Sequence, residues 1–378
     1  MPWKEVTSMS EKLRFIRLAR EPNRNMSQLC QQFGISRKTG YKLLERYERI
    51  GDSAFDESSR RPQTMPTKTP LKHEALIIAL RDKHPAWGAD KIRQHLLNKG
   101  FAMPSTKTVN RILKRYGRIC IEESLKRKPF IRFEHEHPND LWQMDFKGHF
   151  KLSNGQWCYP LTLLDDHSRY SLGIISCSNQ QGNTVIEALK AIFREHGLPL
   201  RMTMDNGSPW GFSGDQQHTY VTAWLIQNGI TVSHSRPCHP QTQGKLERFH
   251  RSLKAELLSA YTFDDFAHAQ VGFDWWRELY NKERPHNALD MKVPIERYKK
   301  SARLYVEKLK PYVYDSNLEV RKVALNGSIS YKGFRYVVGQ AFGGHEVGLR
   351  MDHEHSTLDV YFCHQKVLKL NSSHKRKY

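Results

Sequence analysis

Apolar positions in residues 25–50 recur at helical spacing. Leu29 and Phe33 lie four apart, Gly34 breaks the run, and Ser36 stands as an N-cap before a second run that turns Tyr41, Leu44 and Tyr47 inward. Arg37, Lys38, Thr39, Lys42 and Arg46 then share the outward face. Two helices joined at a Gly turn, the second basic and short enough to enter a major groove, have helix-turn-helix spacing, although a plain helical hairpin with a solvated basic face has the same period. Residues 1–50 are therefore read as a helix-turn-helix DNA-binding domain. Residues 51–70 are rich in Ser, Pro and charge without a sustained period, and read as a linker. Leu71 to Lys83, Ala89 to Asn98 and Pro104 to Tyr116 form three further helices, broken at Pro85, Gly88, Gly100 and Pro104. The last carries Val109, Ile112, Leu113 and Tyr116 as its apolar stripe, with Lys107, Asn110, Arg111 and Lys114 largely opposite. Residues 71–117 read as a second helix-turn-helix domain and residues 118–139 as a charged linker.

From about Asp140 the period changes to two. Trp142, Met144 and Phe146 fall on one face of a strand, with Gln143 and Asp145 on the other. Strand-like runs Trp157 to Leu164 and Tyr170 to Cys177 follow, then a helix through Val185, Leu189, Ile192 and Phe193, and a strand from Leu198 to Met204. A helix near Tyr220 to Asn228, a strand Ile230 to His234 and a long helix from about Thr242 to Ala260 complete a mixed α/β core over residues 140–300. Residues 301–378 hold five short strands between Gly-containing turns (Val320 to Ala324, Ser328 to Tyr331, Phe334 to Val338, Glu346 to Arg350, Leu358 to Phe362) and a basic tail. They are expected to form a small β-barrel.

Charge adds a partner to this outline. The 378 residues carry 60 Lys+Arg against 39 Asp+Glu, a net charge of +21. Residues 1–130 hold 28 basic and 13 acidic side chains, whereas residues 131–300 hold 19 of each. Residues 301–378 hold 13 basic and 7 acidic side chains, so both ends are basic and most of the excess lies on the helical end, which suits a polyanion whose counterions are released on binding. No apolar run approaches the roughly 18 residues of a membrane span, no signal segment opens the chain, and six scattered cysteines form no C-x-x-C pair. A cytoplasmic protein without membrane association is expected.

Three of the 39 acids stand out by position. Asp145 lies mid-strand among apolar residues, Asp205 ends a strand ahead of Asn206 and Gly207, and Glu247 sits in a helix striped by Leu246, Phe249, Leu253 and Leu257. From such elements three carboxylates can converge, and converging carboxylates repel unless hard cations lie between them. Taken singly, Glu247 could pair with Arg251 at i+4 and Asp205 could be an Asx-turn residue.

Five segments closely resemble the core of bacterial insertion-sequence transposases with a retroviral-integrase-like, RNase H-like DDE domain. They are Trp142 to Phe146 (WQMDF), Asp165 to Tyr170 (DDHSRY), Thr203 to Trp210 (TMDNGSPW), His239 to Lys254 (HPQTQGKLERFHRSLK) and Tyr280 to Leu289 (YNKERPHNAL). The interval of 41 residues between Asp205 and Glu247 exceeds the family's usual one, with the Ser208 to Thr219 loop taking up the excess. The resemblance implies a multidomain α/β chain: N-terminal all-α helix-turn-helix modules, an RNase H-like core, and the C-terminal β-barrel. It also implies that Asp145, Asp205 and Glu247 are the catalytic residues and ligands of two Mg²⁺ ions, with Mn²⁺ able to substitute, and that Lys254 contacts DNA beside them. Gln241, Lys245, Arg248 and Arg251 on the same segment are candidate DNA contacts, Gln241 equally a cap of the helix. The implied activity is DNA cleavage and strand transfer at the element's terminal repeats, into target DNA, by at least a dimer, in a bacterial, nucleoid-associated setting. The competing expectation is a DNA-binding regulator or a domesticated relative without strand transfer.

Overall fold

A computed structural model describes residues 8–56, 68–119, 134–211, 218–234, 244–352, 357–371 and 376–377. The chain divides into two units, Met1–Lys68 and Thr69–Tyr378.

The first unit is helical: α1 (Ser8–Ala19), α2 (Met26–Gln32), α3 (Arg37–Ile50) and a 3₁₀ turn at Gly51–Phe55. Local chemistry sets the boundaries. The Asn25 side chain accepts from Ser27 N at 2.9 Å, Gly34 makes the turn at φ +64°, and the Ser36 hydroxyl accepts from Thr39 N at 3.1 Å. Phe15, Ile16, Leu29, Cys30 and Phe55 form the core. One expectation for α3 is corrected: Tyr41 does not turn inward but is half exposed. The inward residue is Gly40, where a Cβ would stand 2.6 Å from Cys30 Sγ and 2.9 Å from the Phe15 ring. Only a residue without a side chain lets α3 approach so closely, which rotates Tyr41 to the basic face.

In the second unit, α4 (Leu71–Lys83), α5 (Ala89–Asn98) and α6 (Thr106–Arg115) enclose Ile77, Trp87, Ile92, Leu96, Val109, Ile112 and Leu113. Tyr116, expected in the α6 stripe, lies beyond the helix end, 44% exposed, and its hydroxyl donates to the buried Glu74 at 2.9 Å. Arg115 also pairs with Glu74, at 2.5 Å.

The central sheet comprises β1 (Leu141–Phe146), β2 (Phe150–Lys151), β3 (Trp157–Asp165), β4 (Ser171–Cys177), β5 (Arg201–Met204) and β6 (Thr231–His234). Its path runs β2-β3-β1-β5-β6, with β4 also on β3; β3 is antiparallel to β1, β2 and β4, while β1, β5 and β6 run parallel. The chain leaves β1 toward β2 and β3 but leaves β5 toward β6, on opposite sides, so the adjacent carboxyl ends of β1 and β5 flank a topological switch point, where α/β sheets hold ligands. Trp142, Met144 and Phe146 pack with α7 (Gly182–His196) and α8 (Tyr220–Gln227) on one face. On the other face α9 (Gly244–Leu253) and α10 (Phe266–Glu278) contribute Leu246, Phe249, Leu253, Phe273 and Trp276 to a cluster that also contains the α4–α6 core. The expected long helix over 242–260 is shorter and irregular. It begins, among the described residues, at Gly244 and passes into a π-turn at Lys254–Leu258, closed by Ser259 N on Lys254 O at 2.9 Å. α10 has no counterpart in the sequence reading.

The C-terminal strands are β7 (Glu319–Lys322), β8 (Ser328–Tyr331), β9 (Phe334–Val337), β10 (Glu346–Asp352), β11 (Thr357–Phe362), β12 (Gln365–Asn371) and β13 (Arg376–Lys377). They do not close into the expected barrel. Two open sheets form instead, β12-β11-β10-β7 and β13-β9-β8. Val323, Ile329, Tyr331, Tyr336, Leu349, Val360 and Phe362 fill the interior, and that cluster is continuous with the α7–α8 side of the core, so closure is not needed to cover it. The Gln365 side chain ties this region to the edge strand β6 by accepting from Val232 N at 2.8 Å and donating to Val232 O at 2.9 Å.

Candidate active site

The parallel register pairs Leu141 with Arg201, Trp142 with Met202 and Gln143 with Thr203. Carried two residues further, the same offset sets Asp145 level with Asp205 on the neighbouring strand end. Asp145 shares its face of β1 with Gln143, opposite the apolar trio Trp142, Met144 and Phe146, and therefore looks toward α9. Burial raises the Asp145 carboxyl to about 7, reinforced by the negative charge of Asp205 and, less strongly, of Glu247, against the lowering effects of the Phe146 amide and Lys147. Glu247 lies exposed in the first turn of α9 and forms no ion pair with Arg251. Asp205 and Glu247 thus each lie within electrostatic reach of Asp145. As they stand, no three His, Cys, Asp or Glu side chains among the described residues are grouped closely enough to hold a metal ion. The donor set, three carboxylates at one switch point, is the hard-oxygen type that Mg²⁺ and Mn²⁺ take.

Neighbours brace the backbone at Asp145 and the carboxylate of Asp205. Thr162 Oγ1 donates to the Asp145 carbonyl at 2.8 Å and lies 2.7 Å from His250 Nε2. With the hydroxyl proton so committed, His250 donates through Nε2, and its Nδ1 stands 4.0 Å from Asp145 Oδ2. Burial and Lys147 push the His250 pKa down to about 3, so this ring is neutral. Asp205 receives Gly207 N at 3.1 Å and the Trp210 indole N–H, both on Oδ1. The Asp165-Asp166 turn serves as scaffold: Asp165 Oδ1 accepts from Ser168 N at 2.7 Å, and Asp166 accepts from His135 N at 3.0 Å and Gln143 Nε2 at 2.9 Å. The fifth motif clamps the helices. Arg284 grips the buried Glu256 of the π-turn at 2.9 Å and Ser252 at 2.9 Å, while Asn281 bonds both backbone groups of Ser171, at 2.8 and 2.9 Å.

The candidate DNA contacts fall into three groups. Arg37, Lys38, Thr39 and Lys42 are exposed on α3, and Lys107, Asn110, Arg111 and Lys114 on α6. Thr39 also joins its own cap through Ser36, at 2.8 Å between hydroxyl oxygens. Arg46 is half-buried and donates to the Asp56 carbonyl at 2.8 Å. Arg248, Arg251 and Lys254 are exposed on or just after α9. Lys245 differs: its side chain, 15% exposed, pairs with Asp166, which is 2% exposed. Gln241 and the rest of residues 235–243 lie outside the described residues, as do 57–67, 120–133 and 212–217.

The sequence-based families describe the same layout. The family described as Integrase core domain matches residues 135–240 and, in a second form, 228–294. A Helix-turn-helix domain matches 11–63, a Homeodomain-like domain 39–113, and the C-terminal domain of IS481 family transposases 318–376. Matches to an integrase core thus lie between matches to helix-turn-helix domains and a match to a transposase C-terminal domain. It resembles an uncharacterized 31.7 kDa protein of insertion element IS407 from Burkholderia multivorans (30% identical over 42% of this chain and 55% of the relative). A 39.2 kDa protein of insertion element IS476 from Xanthomonas euvesicatoria is 25% identical over 59% of this chain and 64% of its own. The transposase of insertion sequence element IS904 from Lactococcus lactis is 28% identical over 63% of this chain and 98% of its own. The chain therefore spans between half and two thirds of the first two relatives. The integrase core encloses all three carboxylates, and the helix-turn-helix matches contain α3 and most of α6. No helix among the described residues is long and apolar enough to cross a membrane.

Proposed function

We propose that this chain is a DNA transposase that cuts at the terminal repeats of an insertion sequence and joins the freed ends to target DNA. One observation carries the reading: the parallel register sets Asp145 level with Asp205 on the neighbouring strand end, and both Asp205 and Glu247 act electrostatically on Asp145. Such concentrated negative charge is unfavourable unless cations neutralise it, which suits a site for two Mg²⁺ ions held by Asp145, Asp205 and Glu247, with Mn²⁺ as a substitute. Bound there, the ions would supply Lewis-acid activation for an in-line displacement at phosphorus. The protein groups orient and hold. Thr162 and His250 support the Asp145 strand, Arg284 braces the α9 helix through Glu256, and Lys254, Arg248 and Arg251 offer positive charge to the phosphate backbone. Water attacks the phosphodiester at the element end and displaces a 3′-hydroxyl, and that hydroxyl attacks a phosphodiester of the target strand, breaking its P–O3′ bond and releasing the target's own 3′-hydroxyl. Two ends joined together call for at least a dimer on DNA. The exposed basic faces of α3 and α6 support recognition of double-stranded DNA. The bacterial relatives favour action at the nucleoid in the cytoplasm. Incubating the protein with labelled terminal-repeat DNA and Mg²⁺ tests the proposal: cleaved and joined products are expected, whereas binding without either product would favour a DNA-binding regulator.

A further inference from the structure

Trp210 is 1% exposed, and its ring stacks on Phe146 with centroids 5.3 Å apart and planes 16° from parallel. Phe146 directly follows Asp145. Burial of a large ring explains the stack, but not the direction of its polar edge. The indole N–H donates to Asp205 Oδ1, the oxygen that also receives Gly207 N at 3.1 Å. Both donors fall on one oxygen, which fixes the rotation of the carboxylate while the second oxygen carries neither. The loop is built to hold this arrangement. Trp210 N and Gly211 N both return to Gly207 O, at 3.2 and 2.9 Å, and a Cβ at Gly211 would meet Asn206 O at 2.8 Å. The turn therefore closes too tightly around Asn206 to admit a side chain there.

We propose that Trp210 is a positioning residue: its ring locks the loop to the strand that bears Asp145, and its N–H orients the Asp205 carboxylate for a divalent cation. This rests on the reading of Asp205 as a metal ligand. A charge-assisted hydrogen bond to a ligating carboxylate is worth roughly 10- to 100-fold in metal affinity. Ring and N–H are separable by substitution. W210F keeps the stack and loses the donor, whereas F146L weakens the stack and keeps the donor.

The test is Mn²⁺ titration of the full chain, followed by the electron paramagnetic resonance of free Mn²⁺, alongside thermal unfolding. W210F should bind Mn²⁺ at least about 10-fold more weakly at a near-unchanged melting temperature. F146L should lose melting temperature with a smaller change in affinity. Mn²⁺ affinity unchanged in W210F but reduced in D205N overturns the role of Trp210 alone. Affinity unchanged in D205N overturns the metal reading itself. Should W210F fail to fold, the indole N–H resonances of the eight tryptophans in the wild type serve instead. One of them should move both on Mg²⁺ addition and in D205N, and no indole signal responding to D205N would defeat the proposal.

Discussion

Lys245 and Glu247 are two positions apart on α9, yet their environments oppose each other: Lys245 is held inward by Asp166, and Glu247 faces outward. The pair fastens the first turn of α9 to the Asp165-Asp166 turn and so sets where Glu247 stands relative to β1. K245M should leave Asp166 buried without its cation, although His135 N and Gln143 Nε2 still donate to it. A stability loss of about 3 kcal/mol is expected, against under about 0.5 kcal/mol for R251A on the exposed face. Urea unfolding of both variants checks this, and a K245M that unfolds like R251A would return Lys245 to the DNA-contacting face. The sequence supports reading the carboxylates because each lies in its own distinctive local string, WQMDF, TMDNG or LERFH. It could not reveal Lys245's partner, 79 residues away, and the basic stretch around it reads as a solvated face. The indole donor of Trp210 was equally hidden, since its direction depends on how the 205–211 loop closes.

At the scale of elements, strong periods survive and irregular joins do not. α4 and α5 occupy the ranges expected from their breakers, because Pro and Gly end helices by local sterics alone. The π-turn at Lys254–Leu258 leaves no comparable mark in sequence; it is secured by Arg284 and Trp276 Nε1 on Glu256, contacts made across the fold. The barrel was misjudged for a related reason: short alternating strands fix which faces are apolar, but not whether the edges meet. Between α4 and α5, His84 stacks on Trp87 at 4.3 Å, and burial, with Lys83 and His95 adding to it against Glu256 and Glu283, lowers its pKa from 6.5 to about 4. The folded state therefore favours the neutral ring. Its contribution to stability is complete above about pH 6.5 and is lost as pH falls toward 4, where the unfolded chain takes up the proton first. The melting temperature of wild type minus that of H84N should accordingly shrink by a few degrees between pH 7 and pH 4.5. A difference independent of pH would mean that His84 is not held neutral.

For the whole molecule, the division of labour follows the charge. The helical modules present Arg37, Lys38 and Lys42 on α3, and Lys107, Arg111 and Lys114 on α6, whereas the core gathers acid at one switch point. Affinity for terminal DNA should fall steeply with salt, by about 0.9 log units per log unit of salt for each phosphate contacted. R37A combined with K42A should flatten that slope by roughly two contacts while leaving metal binding unchanged, as read by fluorescence anisotropy over a salt series. An unaltered slope would move the recognition surface off α3. The central claim, that Glu247 completes a carboxylate site for strand transfer rather than serving as a surface acid, is tested most directly by E247Q. That change keeps size and helix propensity while removing one charge, and the variant should fold and bind terminal DNA as the wild type does. In a strand-transfer assay with labelled terminal-repeat DNA and Mg²⁺, the wild type should give joined product and E247Q essentially none, nearly matching a triple D145N, D205N and E247Q change because the three carboxylates act as a unit; joined product from E247Q at the wild-type level would contradict the account.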